Sequence, residues 1–132
     1  MEHDGAIDLV WGGDERRFRL AIDQCLALEE RRGCGLAEIR QRLATDRWHI
    51  DDIRETLRLG LIGGGVDGKL ARELIDRHCG AGKLYDGVIV ALAVITAAVV
   101  SPRAEPPVGK AGAAAAPETD SPPPPSMEPA QR

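Results

Sequence analysis

Proline is missing from the first hundred residues of this 132-residue chain, because all nine prolines lie at or after Pro102. Nothing before that point is obliged to break a helix, and the change in composition there marks the end of the foldable part. What precedes it is long enough to bury one small core and too short for two. Cysteine is also sparse. Cys25, Cys34 and Cys79 are odd in number and irregular in spacing, with no Cys-x-x-Cys pair. A disulfide framework is therefore not expected, and reduced cysteines packed as small hydrophobes are the reading preferred over a zinc set of Cys25, Cys34, Cys79 and His78. Long apolar runs are lacking too. Val88 to Val100 spans 13 residues, about 20 Å of helix, whereas a membrane span needs roughly 20 residues. Asp86 blocks its extension toward Leu84. The opening M-E-H-D-G lacks a basic region followed by an apolar core, so no secretory leader is expected. Excess positive charge is absent as well. The formal charge is -4 and the pI about 5.4, which gives no general attraction to nucleic acid or anionic membrane.

Groups with catalytic spacing are equally hard to find. His3, His49 and His78 are scattered, and no serine or cysteine has a histidine and acid in a recognisable set. With 21 acidic residues, stray acid pairs carry no information. The glycines Gly60, Gly63, Gly64, Gly65 and Gly68, followed by Lys69, imitate a phosphate loop. Leu70, however, stands where a magnesium-binding hydroxyl is needed, and the preceding segment has helical rather than strand character. No enzyme activity, cofactor, metal or small-molecule substrate is expected.

What is present reads as a mostly α, α+β domain: an N-terminal β-hairpin packed on about five helices. Residues 1–5 are expected to be a flexible N-terminus, 6–101 one folded domain, and 102–132 a disordered Pro/Ala-rich tail. Ile7, Leu9 and Trp11 alternate with Asp8 and Val10, and Phe18 and Leu20 with Arg17 and Arg19, on either side of Gly12-Gly13. Two strands alone are marginal, so the hairpin must pack on helices or gain a strand from a partner. Ala21–Arg32 is predicted to be a helix with Ile22, Cys25, Leu26 and Leu28 inward, stopped by Gly33. Leu36–Ala44 follows, with Leu36, Ile39 and Leu43 on one face, and Trp48 plugs the next turn. Ile50 to Gly65 is the centre of the design. Ile53, Leu57 and Leu61 form an apolar stripe, Asp51 or Asp52 caps the start, and the glycines end the helix at Gly60 or Ile62 in a corner between two helices. Asp67 caps a helix over Gly68–His78, in which Arg72 can pair with Asp76. The last helix, Leu84 to Val100, has little polar face, so neighbours, a partner or a second copy must bury it. The Pro122–Pro125 run has polyproline II character and could enter an aromatic groove; a solubilising tail is the preferred reading.

One alternative function follows from outline alone. L-A-E-I-R-Q-R-L, a turn, then I-D-D-I-R-E-T-L suggests a helix-turn-helix DNA-binding regulator, with Arg54 and Arg58 on the exposed face of the second helix. Asp51, Asp52 and Glu55 crowd the turn that would approach phosphate, so nucleic acid is not the expected partner.

F-R-L-A-I-D-Q-C-L-A-L-E-E-R-R-G, a short helix, then D-D-I-R-E-T-L-R-L-G-L-I-G-G-G resembles the small tail-assembly protein of gene transfer agents, phage-like particles encoded in bacterial chromosomes. That family is also described as of phage tail tube or tail assembly chaperone type. The resemblance covers about Ala6 to Pro102 and rests on Leu28-Glu29 with Gly33 and on Arg58–Gly65. It implies a non-enzymatic chaperone or adaptor that binds the tape measure or tail tube protein, in the cytoplasm or within the tail particle. The valine- and alanine-rich last helix and the proline-rich tail depart from the family pattern. Leu57, Leu59, Leu61 and Ile62 at the glycine corner, with Val88, Leu92 and Ile95 on the last helix, are the expected protein-binding residues.

Overall fold

The computed structural model describes residues 3–100, so the expected tail over 102–132 lies outside the described residues. The first element follows from its turn. Gly12 and Gly13 sit at φ +67° and +86°, the left-handed pair that a two-residue hairpin turn demands. Strands β1 (Ala6–Trp11) and β2 (Asp14–Arg19) pair antiparallel, with Trp11 opposite Asp14 and Ala6 opposite Arg19. The alternation turns Ile7, Leu9, Trp11 and Phe18 inward, and Trp11 meets Phe18 edge-to-face at 6.1 Å.

Five helices follow: α1 (Ile22–Arg32), α2 (Leu36–Ala44), α3 (Ile50–Gly63), α4 (Gly68–His78) and α5 (Leu84–Val99). The hairpin and helices share one core. Helix α3 is its hub, touching β2 and every other helix; α5 runs beside it and supports both strands and α2. Ile53, Leu57 and Leu61, the predicted stripe, are all fully buried. The helix runs past Gly60 and Ile62 to Gly63. It ends when the Val66 N–H bonds Leu61 O at 2.9 Å and the Gly65 N–H bonds Ile62 O at 3.0 Å, a Schellman-type stop.

Several local expectations are corrected. The glycine corner connects α3 to α4 as expected, but the element that comes closest to its glycines is the strand β2. A Cβ on Gly63 or Gly64 would overlap the carbonyl of Arg19 or Arg17, so their bareness lets α3 lie against β2. On α1, Ile22 and Leu26 face solvent; Leu28 is the buried residue and Cys25 is half-buried beside it. Asp76 pairs with Arg54 at 2.6 Å, not with Arg72. At the N-terminus, His3 Nε2 lies 2.8 Å from Ala97 O, and Arg19 donates to Asp4 O at 3.0 Å. Asp67 caps α4 as expected, accepting from the Lys69 N–H at 3.0 Å.

Candidate functional site

The polar side chains of the helical body are turned toward one another. Asp52, expected as a capping acid, has no solvent exposure. It sits at the third position of α3 and accepts from the backbone N–H of His49 at 2.7 Å, from Arg32 Nε of α1 at 2.8 Å and from Arg42 of α2 at 3.3 Å. Burial alone would raise its pKa. The His49 and Arg32 hydrogen bonds and the two guanidinium charges outweigh that, so its carboxyl lies below the ordinary value of 3.8. Glu55 pairs with Arg58 at 2.7 Å and with Arg31 at 3.4 Å. Arg54 donates to Cys79 O at 2.8 Å as well as to Asp76. These contacts tie α3 to α1, α2 and α4.

Nucleophiles fare no better. Burial pushes the Cys79 thiol up, with Arg54 opposing, and burial with Glu29 pushes the Cys25 thiol up. Both are held further from the reactive thiolate. His78 stacks edge-to-face on Trp11 at 5.5 Å, and burial beside Arg16 and Lys83 lowers its pKa. Among the described residues no group of three or more His, Cys, Asp or Glu could hold a metal ion. No helix among them is long and apolar enough to cross a membrane.

One surface with exposed apolar side chains lies on α5. Its inner side, with Gly87, Val88, Ala91, Val94 and Ile95, is buried. Its outer side carries Tyr85, Ile89, Leu92, Thr96 and Val99 at steps of four, three, four and three, a single helical stripe. Ile89 is 67% exposed, Tyr85 and Val99 are exposed, and Leu92 and Thr96 are half-buried. A depression of about 420 Å³ lies on the α2 side, lined by Ala37, Arg40, Gln41, Ala44, Leu92 and Thr96. Another, of about 260 Å³, lies on the β1 side between Val10, Trp11, Gly12, Asp86, Ile89 and Val90. At one end of the helix Tyr85 donates to Asp46 at 2.6 Å and lies 6.3 Å from Trp48, which plugs its turn as predicted.

Measured against that stripe, the expected binding residues divide. Leu57, Leu59, Leu61, Val88 and Ile95 face the core, because α3 and α5 turn those sides toward each other and toward the hairpin. A partner on the folded domain meets only Ile62 and Leu92 of the seven, both half-buried. Ile89, Tyr85 and Val10, which were not among the seven, are more exposed. The spacing of Tyr85 and Ile89 with Leu92 marks one face of a helix otherwise read as apolar all round.

The span from hairpin to α5 is also the span of a recognised family. A family model described as "Phage tail tube protein, GTA-gp10" matches residues 4–101. The chain belongs to that family. The match begins just before β1 and ends just after α5, so hub, hairpin and outer stripe all lie within it. No curated protein and no solved structure matches the chain. Membership in the GTA-gp10 family gives it a role in a phage-like tail. The helix-turn-helix alternative needs α3 free to enter a groove, yet seven of its residues are buried and Arg54 and Arg58 are engaged in internal pairs.

Proposed function

We propose that this tail protein is a non-enzymatic assembly chaperone or adaptor, docking a tape measure or tail tube protein on the outer stripe of α5. The observation that carries the reading is the exposed Ile89 and the half-buried Leu92 on α5, each lining an open depression. Water drives such apolar surface toward a partner's apolar surface, and covering a client in this way keeps it from aggregating until the tube polymerises. The setting is the cytoplasm, or the tail particle if the protein stays with its client. A second copy is the competing occupant of the stripe.

The test is co-expression with the tape measure or tail tube protein of the same phage-like particle. The client is expected in the soluble fraction only with this protein present, and Ile89→Lys with Leu92→Lys should abolish the rescue while the domain stays folded. A client that remains soluble with the doubly substituted protein would sink the reading.

A further inference from the structure

The hairpin presents one edge to the helices and leaves the other open. Trp11 and Asp14 close a two-residue turn, so the main-chain groups of Leu9 and Ile7 point into the ladder, and those of Asp8 and Val10 point away from it. On β2 the corresponding outward carbonyls, Arg17 and Arg19, meet Gly63 and Gly64 of α3. On β1 the outward groups of Asp8 and Val10 meet no hydrogen-bonding partner among the described residues. Val10 is 72% exposed and Asp8 is exposed. The open edge runs alongside α5 in the opposite sense. His3 and Gly5 at its start touch Ala97 and Ala98, and Val10 and Trp11 at its end share a depression with Asp86 and Ile89. Six strand residues cover about 20 Å, and the α5 segment alongside them covers about 17 Å. The result is a short trough at the Val10–Gly12 end of the strand, with the stripe residue Ile89 in its lining.

We propose that this trough takes an added β-strand from another protein, an extended segment with apolar residues on one face and a lysine or arginine on the other. Unpaired alternate N–H and C=O groups in an extended edge are matched by another extended chain. The inner face of such a strand would lie against Leu9 and Ile89, which calls for apolar side chains. Its outer face would stand beside Asp8, whose only ion pair is with Arg17 at 3.5 Å on the opposite side, while Asp86 has no ion pair among the described residues. No lysine or arginine lines the depression at the strand's end. A second copy would bring Asp8 and Asp86 against an edge that already carries them, so charge favours a partner with basic residues. The inference deepens the proposed function by naming the chemistry of the docked segment.

The test follows the Asp8 and Val10 amides by hydrogen exchange in the full chain, alone and with a blocked peptide of alternating valine and lysine. Both amides should exchange freely alone and slow at least tenfold with the peptide. A valine–glutamate peptide of equal length should bind at least tenfold more weakly. Val10→Pro removes only an outward donor and should abolish binding; Ile89→Lys, which leaves the strand untouched, should weaken it. Slow exchange in the dilute chain alone would overturn the proposal, as would protection that grows with protein concentration or equal binding of the two peptides. The tail reading fails separately. A tail client rescued without any protection at Asp8 and Val10 removes the added strand and keeps the chaperone, whereas peptide-induced protection without client rescue does the reverse.

Discussion

Helices α3 and α5 lie against each other at the middle of the domain and use their side chains in opposite ways. Helix α3 is rich in charge, yet it encloses its polar groups: Asp52 and Thr56 are fully buried, and Thr56 donates to Asp52 O at 2.6 Å. Helix α5 is almost wholly apolar, yet it leaves Ile89 and Val99 in solvent. Composition alone would have ranked them the other way. A helix of mixed character can be the hub when its charges find partners on its neighbours, while an apolar helix can keep an exposed side when too few neighbours surround it. Hub and proposed docking face are thereby separated, and a partner on α5 need not disturb α3.

The largest predicted effect breaks the hub. Asp52→Ala leaves Arg32 and Arg42 without their shared carboxylate and His49 N–H without its acceptor. Removing one member of a buried ion cluster costs about 3–5 kcal/mol, a large part of the roughly 5–15 kcal/mol that holds a small domain together. A urea midpoint shift of less than about a fifth of the wild-type midpoint would contradict this. The same carboxylate sets an acid limit. Its folded pKa lies below 3.8, so its contribution is complete above that value and drains away as pH falls through the folded pKa. Asp52→Asn should start less stable and lose less between pH 5 and pH 2, a comparison that thermal melts across pH would read.

A second pair of substitutions sharpens the comparison by testing the two inner faces together. Leu57 on α3 and Ile95 on α5 are both fully buried. Truncation of either to alanine should cost about 2–5 kcal/mol. If Ile95→Ala proved nearly neutral while Leu57→Ala did not, α5 would be peripheral rather than a second pillar of the core. Chemical denaturation of the two variants side by side gives the answer.

Gly63→Ala comes next. In an exposed helix the change would gain about 1 kcal/mol. Here the added methyl overlaps the carbonyl of Arg19, and backbone cannot swing aside as a side chain could. A net loss of about 1–3 kcal/mol is expected, accompanied by altered Trp11 fluorescence as β2 lifts from α3. A stabilised variant would mean that helix and strand are not in close contact.

Much of this architecture could be read from local pattern, and what could not be read has a common cause. The bounds of β1, α2 and α4, the Gly12-Gly13 turn, the Asp67 cap and the Ile53–Leu57–Leu61 stripe all rest on neighbours within four residues. Asp52 caps the start of α3 as expected, but its burial beneath Arg32 and Arg42 was not foreseen, because those partners lie 20 and 10 residues away. The α1 face was misjudged because Ile22 with Leu26 and Cys25 with Leu28 are two plausible apolar sides, and periodicity does not say which one a neighbour covers. The glycine corner showed that something comes close, without showing that it was the strand β2. The outer stripe of α5, the proposed docking surface, was half legible: Leu92 was named, while Ile89 was lost in a run of apolar residues whose outer side depends on where α2 and β1 stop.

The smallest predicted change in stability is the one that bears most on function. Ile89→Lys places a charge on the exposed side of α5, where it meets solvent at one end of the stripe and Asp86 nearby. A surface substitution of this kind should move stability by no more than about 0.5 kcal/mol, and attraction to Asp86 acts in the stabilising direction. The domain should therefore melt as wild type does while client rescue falls away. A melt lowered as far as that of Leu57→Ala would show that Ile89 is covered within the folded chain. The outer side of α5 would then belong to the core, and the contrast between an enclosed hub and an open docking helix would not survive.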